Sequence, residues 1–179
     1  MNRTYRITPI QHPDRGAPFA YRPLLSRLPL APPLIIQLDT WDEDDELIVP
    51  TEEELSNMIC HLTLETPAGE TAAQVKISDT EVVPMLYGTL ITTPKQMLDT
   101  AGAPGVYFCF PDVSVRFPGR FRLKAYVTRL HGGAALDSCY TEPFEVIPEA
   151  QYVEPPITDL TRHFHAQGLV NFGIPANDW

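Results

Sequence analysis

The chain has 179 residues, of which 44% are apolar, with a formal net charge of −10 and 19 prolines against 10 glycines. This length suits one domain with a sizeable core, and the apolar stretches are too short to span a bilayer, which argues against a membrane protein. The N-terminal residues show no secretory signal, and the scattered cysteines predict reduced thiols rather than a disulfide framework.

The acidity is concentrated in one segment. Residues 39–54 contain nine of the 23 acidic residues and no base, whereas the rest of the chain is nearly balanced. Residues 116–129, in contrast, are basic and contain no acid. This uneven distribution says more about partners than the net charge does, because it predicts separate acidic and basic surfaces. The basic residues are Arg116, Arg120, Arg122, Lys124 and Arg129.

In the first third of the chain, the pattern predicts two strands separated by an irregular arm. Tyr5–Ile10 alternates weakly and predicts an edge strand, whereas the proline-rich His12–Pro33 predicts an arm outside the core. Leu34–Leu38 (LIIQL) predicts a short buried strand. The acidic Asp39–Glu54 segment that follows is interpreted as a solvated loop.

The middle of the chain predicts strands separated by turns. Asn57–Glu65 alternates as a half-buried strand does, and Pro67–Gly69 predicts a turn, whereas residues 71–84 have no clear pattern. Leu86–Thr93 predicts another strand, in which Gly88 indicates a bulge or the close approach of another backbone. The residues of the first strand that we expect to face inward are Met58, Cys60, Leu62 and Leu64.

The next segments predict a turn and two further strands. Pro94–Thr100 is interpreted as one short helical turn, and Val106–Phe110 and Gly119–Leu130 are interpreted as strands. Alternation in the longer strand predicts an apolar inner face and a basic outer face. The inner residues are Phe121, Leu123, Ala125 and Val127, and the outer ones are Arg120, Arg122, Lys124, Tyr126 and Thr128.

The end of the chain predicts a closing strand and one helix. Cys139–Ile147 predicts the strand, with Tyr140, Glu142, Phe144 and Val146 on one side. Pro156–Gly168 predicts the helix, because Thr158 suits an N-cap and Gly168 suits a C-terminal stop. About seven or eight strands and one helix predict an all-β, immunoglobulin-like sandwich with one short C-terminal α-helix. Residues 1–33 would form the first strand and the arm, residues 34–169 the core, and residues 170–179 a tail.

Catalytic and metal-binding motifs are not found. The sequence has no GxxxxGK[ST], GxGxxG or GxSxG motif. His163 and His165 would point to different sides of a helix, so they predict no shared metal ion. Residues 42–46 could attract Ca²⁺, but they lack the ligand spacing and glycine of an EF-hand, which favours a solvated loop. We therefore expect no catalysis, cofactor, metal or small-molecule substrate.

The outer face of the predicted Gly119–Leu130 strand has the character of a binding site. Arg120, Arg122 and Lys124 would project together with Arg116 nearby, and such a stripe binds phosphates through charge neutralisation and counterion release. The alternative is an ordinary exposed sheet surface whose charges pair with the acidic segment. The residues alone leave both interpretations open.

Longer motifs resemble those of the fungal velvet domain. The central one is GVYFCFPDVSVRFPGRFRLK at residues 105–124, and others follow the family's order along residues 5–169. They are Tyr5, Gln11–Arg15, Arg27–Leu38 (RLPLAPPLIIQL), Cys60–Leu64 (CHLTL), Leu86–Leu90 (LYGTL) and Thr158–Gly168 (TDLTRHFHAQG).

This resemblance implies a Rel-like β-sandwich that regulates fungal development, sporulation and secondary metabolism. It implies a homo- or heterodimer with another velvet-domain protein, contact with double-stranded DNA in several members, and a nuclear location with shuttling to the cytoplasm. The candidate DNA-binding residues are Arg15, Arg27, Arg116, Arg120, Arg122 and Lys124.

Two departures from the family pattern remove positive charge. The family's arm carries a basic cluster, whereas here Leu25 and Leu28 stand at two of its basic positions and Ala20–Leu24 replaces its centre. After the helix, Asn171–Pro175 has no base where the family often has an arginine-rich strand. Because each lost phosphate contact weakens binding, the alternative function is a velvet-like interaction subunit that does not itself bind DNA.

Overall fold

The computed structural model of the chain describes residues 2–175, so residues 176–179 of the predicted tail lie outside the described residues. The strands are β1 (Thr4–Gln11), β2 (Arg15–Gly16), β3 (Leu34–Trp41), β4 (Leu47–Ile48), β5 (Met58–Glu65), β6 (Gln74–Lys76), β7 (Val82–Pro84), β8 (Leu86–Gly88), β9 (Ile91–Thr92), β10 (Lys95–Leu98), β11 (Pro104–Phe110), β12 (Val113–Val115), β13 (Gly119–Arg129), β14 (Asp137–Tyr140) and β15 (Phe144–Val146). The α-helices are α1 (Glu52–Ser56) and α2 (Asp159–Ala166), and 3₁₀ turns occur at Leu24–Ser26 and Glu149–Gln151.

The strands form two main sheets. The first sheet has the order β1-β3-β11-β10, with β4 paired to the end of β3. The second sheet has the order β2-β15-β13-β5-β9, with β14 paired to β13. The strand pairs β6-β7 and β8-β12 form two small ribbons. The predicted all-β sandwich with a C-terminal helix is confirmed.

The main core lies between the two sheets, and a second core lies under the C-terminal helix. Because side chains alternate along a strand, β3 contributes to both: Leu34 and Ile36 pack in the main core, and Ile35 packs in the second. Phe108 and Tyr107 of β11 divide in the same way. The first sheet is therefore buried on both faces, which accounts for its continuous apolar runs.

Helix α2 seals the outer side of the first sheet. The Thr158 hydroxyl accepts a hydrogen bond from the Thr161 N–H at 3.0 Å, and Gly168 adopts a positive φ of 78° just after the helix, so both predicted caps are confirmed. Phe164 is fully buried, with its ring centroid 4.7 Å from that of Tyr107. No helix within residues 2–175 has the length and apolar character needed to cross a bilayer.

The edge strand β10 is capped by a side chain of the helical segment. The Gln167 amide donates a hydrogen bond to the Leu98 carbonyl oxygen and accepts one from the Leu98 N–H, each at 2.8 Å. These are the two bonds that a further strand would make at that residue.

The expectation of a helical turn at Pro94–Thr100 is wrong. Residues 95–98 of this segment are extended and pair with β11, and Met97 is buried in the second core.

Two expectations for the first third of the chain are also wrong. The Asp39–Glu54 segment is more than a loop, because it contains the end of β3, strand β4 and the start of α1. The His12–Pro33 arm contributes to the interior, since Phe19 is 1% exposed and Leu30 is 4% exposed. Its apolar side chains fill space beside the sandwich, a role that periodicity cannot indicate in an irregular segment.

The predicted closing strand is broken in two. Pro143 has no N–H for a ladder, and the chain leaves the sheet between β14 and β15. At the break, Thr141 is buried and its hydroxyl accepts a hydrogen bond from the Leu123 N–H at 3.0 Å. As a result Tyr140 is exposed whereas Phe144 is buried, which corrects the expectation that they share one side.

Gly88 marks a close backbone approach, as its position in the sequence predicts. Its φ is +122°, and a Cβ atom at this position would lie 1.8 Å from the Asp112 carbonyl oxygen. That carbonyl accepts a hydrogen bond from the Thr89 N–H at 3.0 Å. The contact joins the small β8-β12 ribbon to residues 111–112, which follow the end of β11.

Candidate functional site

The predicted basic face of β13 exists. Phe121 and Leu123 are buried, whereas Arg120 is exposed and Arg122 and Lys124 are half-buried on the opposite side. We call this side of β13, together with the outward residues of β2, β5, β14 and β15, the outer sheet face. Its side chains contact one another across the strands, and these contacts decide how much positive charge it offers.

Arg122 is held by a neighbouring carboxylate and an aromatic ring. Its Nε and Nη2 atoms donate to Glu65 Oε1 on β5 at 3.2 and 2.9 Å. Its guanidinium carbon lies 3.9 Å from the ring centroid of Tyr140 on β14. The side chains of Arg122 and Glu65 are 24% and 12% exposed, so the pair is only partly screened by water. Arg122 therefore serves as a bridge across three strands.

Arg120 and Arg15 flank a single acid. Arg120 of β13 is opposite Glu145 of β15, which is in turn opposite Arg15 of β2. Arg15 is further engaged, since its Nε donates to Asp14 at 2.8 Å and its Nη1 donates to the Val153 carbonyl at 3.3 Å. Within residues 2–175, Arg120 forms no ion pair. It is exposed whereas Arg15 is half-buried, so Arg120 is the base of these two that is more available to an external anion.

The remaining part of the outer sheet face is aromatic. Lys124 lies 6.0 Å from the ring centroid of Tyr140, a weak cation–π contact. The His61 and Tyr126 rings are stacked, with centroids 4.6 Å apart, and the His61 Nε2 atom is 2.9 Å from the Thr128 hydroxyl. Charge, aromatic surface and hydroxyl groups therefore share this face, in place of a continuous basic stripe.

Arg27 and Arg116 anchor the arm. Arg27 makes a bidentate ion pair with Asp112, at 2.6 and 3.0 Å, and its side chain is only 13% exposed. Arg116 donates to the Ala20 and Pro84 carbonyl oxygens at 2.7 and 2.9 Å, and it lies over the Phe19 ring. Both guanidinium groups are used to attach the arm to the sandwich.

The six candidate DNA-binding residues thus fall into two groups. Four lie on the outer sheet face, and two anchor the arm. The structure does not bring all six into one patch, and their role in DNA binding stays a prediction. The four are Arg15, Arg120, Arg122 and Lys124, and the two are Arg27 and Arg116.

A surface that the sequence interpretation missed is an apolar turn of the arm. Residues 20–28, here called the arm loop, expose Leu25 completely and Tyr21 by 71%, with Leu24 and Leu28 at 39% and 45%. The sequence interpretation treats Leu25 and Leu28 as a loss of positive charge that favours an interaction subunit, and it does not predict that they form an exposed surface. The available signal was their position in an irregular segment between prolines, where no sheet face would cover them.

The acidic segment has local structural roles. The Asp42 Oδ1 atom accepts hydrogen bonds from the Asp44 and Glu46 N–H groups at 2.9 and 3.0 Å, which closes the turn before β4. Glu54 completes a capping box with Thr51 at the start of α1. The hydrogen bond from the Thr51 N–H lowers the pKa of Glu54 below its ordinary 4.5, with burial opposing the effect and Arg3 adding to it.

The three thiols are free, and Cys60 and Cys109 are buried whereas Cys139 is half-buried. Burial raises the pKa of Cys109 and of Cys139 to about 12, and that of Cys60 further still. Such thiols are poor nucleophiles and poor ligands. Within residues 2–175, no cluster of three or more His, Cys, Asp or Glu side chains is placed to hold a metal ion.

The fold defines an all-β sandwich domain with a helix packed on one sheet and exposed basic, aromatic and apolar surfaces. Residues 67–172, more than half of the chain, match the family model of the Velvet factor, and the chain belongs to the velvet family.

Curated relatives of the chain are fungal regulators. It is 31% identical to the spore development regulator RYP2 of Ajellomyces capsulatus, over 92% of this chain and 42% of that protein. It is 32% identical to the developmental and secondary metabolism regulator veA of Chaetomium globosum, over 66% of this chain and 22% of that protein. It is 33% identical to velvet complex subunit 2 of Gibberella moniliformis, over 47% and 22%. The chain spans less than half the length of each.

Proposed function

We propose that this chain is a velvet-type transcriptional regulator of fungal development and secondary metabolism that acts as one subunit of a dimer with another velvet-domain protein. The family and the names of the relatives support the biological role. One relative is named as a subunit of a velvet complex, which supports the proposed partnership. The proposed location is the nucleus, with shuttling to the cytoplasm.

One observation bears on DNA binding by the isolated subunit: most of its candidate basic residues already contact partners within the chain. Arg15, Arg27 and Arg122 form ion pairs, and Arg116 is occupied by two carbonyl oxygens. A guanidinium that already has an anionic partner contributes little to phosphate neutralisation and counterion release. The isolated subunit is therefore proposed to bind DNA weakly and to contribute mainly protein contacts to the dimer.

A second candidate is direct DNA contact by the outer sheet face. The residues that favour it are Arg120 and Lys124, which form no ion pair within residues 2–175 and point to the same side of β13. In a dimer, two such faces double the number of available bases. The acidic segment at residues 39–54 opposes this candidate, because its carboxylates repel the phosphates of any duplex that they approach.

Fluorescence anisotropy of a labelled duplex, at low and at physiological salt, tests both candidates. The chain is measured alone and mixed with a second velvet-domain protein, with complex formation checked by size-exclusion chromatography. We expect a mixed complex, and weak DNA binding by the chain alone that is lost at physiological salt. Tight binding by the chain alone would contradict the first candidate, and failure to pair with other velvet-domain proteins would contradict the dimer.

A double variant assigns any DNA contact to the outer sheet face. If Arg120 and Lys124 each neutralise a phosphate, replacing both with alanine makes the negative slope of log K against log salt less steep by about 2. The matched control replaces Lys76 and Lys95, two bases on other strands, and leaves the slope unchanged. Equal slopes for the double variant and the wild type would refute the second candidate.

A further inference from the structure

The edge strand β10 has one residue whose backbone polar groups are unpaired. In an antiparallel pair, residues that bond to the partner strand alternate with residues whose N–H and C=O groups point away from it. Leu98 points away from β11, because its N–H and carbonyl oxygen bond to the Gln167 amide. Gln96, two residues earlier, therefore points the same way. Within residues 2–175, neither its N–H nor its carbonyl oxygen has a hydrogen-bond partner.

The edge of β10 is blocked on both sides of Gln96. Gln167 occupies the backbone of Leu98, and Pro94 has no N–H to offer to a further strand. Edges that are guarded in this way do not pair with a long strand of another sheet. The backbone left open at Gln96 suits a few residues of an extended peptide, which adds to a sheet edge through main-chain hydrogen bonds.

A groove borders this open edge. It has a volume of about 560 Å³, which is within the range of sites that hold small ligands. It is lined by residues 93–96, by Leu55 and its neighbours on α1, and by Leu169. Leu169 is 55% exposed, so its side chain is accessible to an incoming apolar group. Because side chains alternate along an extended peptide, those on one face can enter the groove while the backbone pairs with Gln96.

The surroundings of the groove are acidic. Glu52 lines the groove and Glu53 follows it on α1, and both are exposed without an ion pair within residues 2–175. They belong to the acidic segment at residues 39–54, which has nine acids and no base. Among the described residues, Lys95 is the one base that lines the groove. The electrostatic field therefore favours a basic peptide over an acidic one.

We propose that β10 binds a short extended peptide in which an apolar residue is flanked by basic ones. The peptide backbone pairs with Gln96, an apolar side chain fills the groove beside Leu169, and the basic side chains approach Glu52. This inference goes beyond the proposed function, because it assigns a surface whose ligand is neither DNA nor a second folded velvet domain.

An NMR titration of the nitrogen-15-labelled chain with a synthetic peptide tests the proposal. The probe is the blocked pentapeptide Lys-Val-Leu-Val-Lys, and its charge-reversed counterpart is Glu-Val-Leu-Val-Glu. With the basic peptide, we expect saturable shifts of the amide signals of Gln96 and its neighbours in β10. The acidic peptide should bind at least about five-fold more weakly at low salt, because the carboxylates of the groove repel it.

Substitutions at Gln96 separate the role of the backbone from that of the side chain. Gln96→Pro removes the outward N–H and leaves the ladder intact, because that N–H does not bond to β11. We expect it to weaken peptide binding at least about ten-fold, through the lost hydrogen bond and the bulk of the proline ring. The matched control Gln96→Ala keeps the N–H and should bind within about two-fold of the wild type. Unchanged amide signals of β11 show that both variants are folded.

A second pair of variants tests the groove. Leu169→Asp places a charge where the apolar side chain of the peptide would pack, and it should weaken binding at least about five-fold. The matched control is Leu130→Asp, because Leu130 is also exposed, at 58%, and does not line the groove. It should leave the affinity unchanged.

Three results would overturn the inference. They are the absence of saturable shifts at millimolar peptide, shifts that fall on β13 instead of β10, and equal binding by Gln96→Pro and Gln96→Ala. The titration contains neither DNA nor a second velvet-domain protein. Each of these results would therefore leave the proposed function as it stands.

Discussion

Replacing Arg122 with alanine is expected to destabilise the fold, although this residue is one of the candidate DNA contacts. The matched variant is Arg120→Ala, two residues away on the same strand and the same face. Both substitutions remove one positive charge. They differ in what the guanidinium contacts, since Arg122 bridges Glu65 and Tyr140 whereas Arg120 is exposed.

The magnitude follows from these contacts. A hydrogen-bonded ion pair at partial burial contributes about 1–2 kcal/mol, after allowance for solvent screening of the 24% and 12% exposed side chains. The contact with the Tyr140 ring adds roughly 0.5–1 kcal/mol. We therefore expect Arg122→Ala to lower the free energy of unfolding by about 2 kcal/mol. Arg120→Ala should change it by less than about 0.5 kcal/mol, as surface substitutions do.

Urea denaturation followed by circular dichroism measures both values. The slope against urea should be unchanged, so that the midpoints report stability. A double-mutant cycle with Glu65→Gln should give a coupling of about 1 kcal/mol between Arg122 and Glu65. If Arg122→Ala is as stable as Arg120→Ala, or if the coupling is zero, Arg122 is not a structural bridge and its charge is available for a partner.

Three further predictions concern the rest of the structure. Glu54→Gln should cost roughly 0.5–1 kcal/mol at neutral pH, because Gln can complete the capping box but loses the ion pair with Arg3. Because the folded-state pKa of Glu54 is lowered, this difference should begin to fade in urea titrations as the pH falls below its ordinary pKa of 4.5, and a difference that is unchanged at the lowest pH at which the chain stays folded would refute it. Phe164→Ala should lower the free energy of unfolding by about 3–5 kcal/mol in the same assay, and a loss under 1 kcal/mol would show that α2 is not packed as described. Ellman's reagent at pH 8 should label Cys60 and Cys109 slowly in the folded chain, and all three thiols in the urea-unfolded chain; rapid labelling of more than one thiol in the folded chain would contradict the burial of Cys60 and Cys109.

Regular alternation made the centre of the fold predictable. The inward residues of β5 and β13, the caps of α2 and the close approach at Gly88 follow from local rules on periodicity, capping and glycine. Short segments were less predictable, because their conformation depends on distant partners. Pro94–Thr100 is extended since β11 offers it a ladder, and Thr141 turns inward since the Leu123 N–H needs an acceptor.

The sequence predicts on which face the candidate residues of β13 lie, but it does not predict whether their charges are already neutralised by other residues. Alternation along β13 correctly places Arg120, Arg122 and Lys124 on one face. It cannot reveal that Glu65 neutralises Arg122, because that residue is 57 positions away in sequence. The arm was the least predictable part, because Arg27 and Arg116 form hydrogen bonds within the chain there and the exposed leucines follow no period.

The cap that Gln167 places on Leu98 has a consequence for solubility. An unpaired strand at the end of a sheet is a template on which further chains can add, strand upon strand, into aggregates. Here the Gln167 amide imitates the next strand at one residue and ends the ladder there. A helix that unravelled by its last turn would free the Leu98 N–H and carbonyl for such addition, so the residue that follows α2 blocks strand addition at this point of the β10 edge.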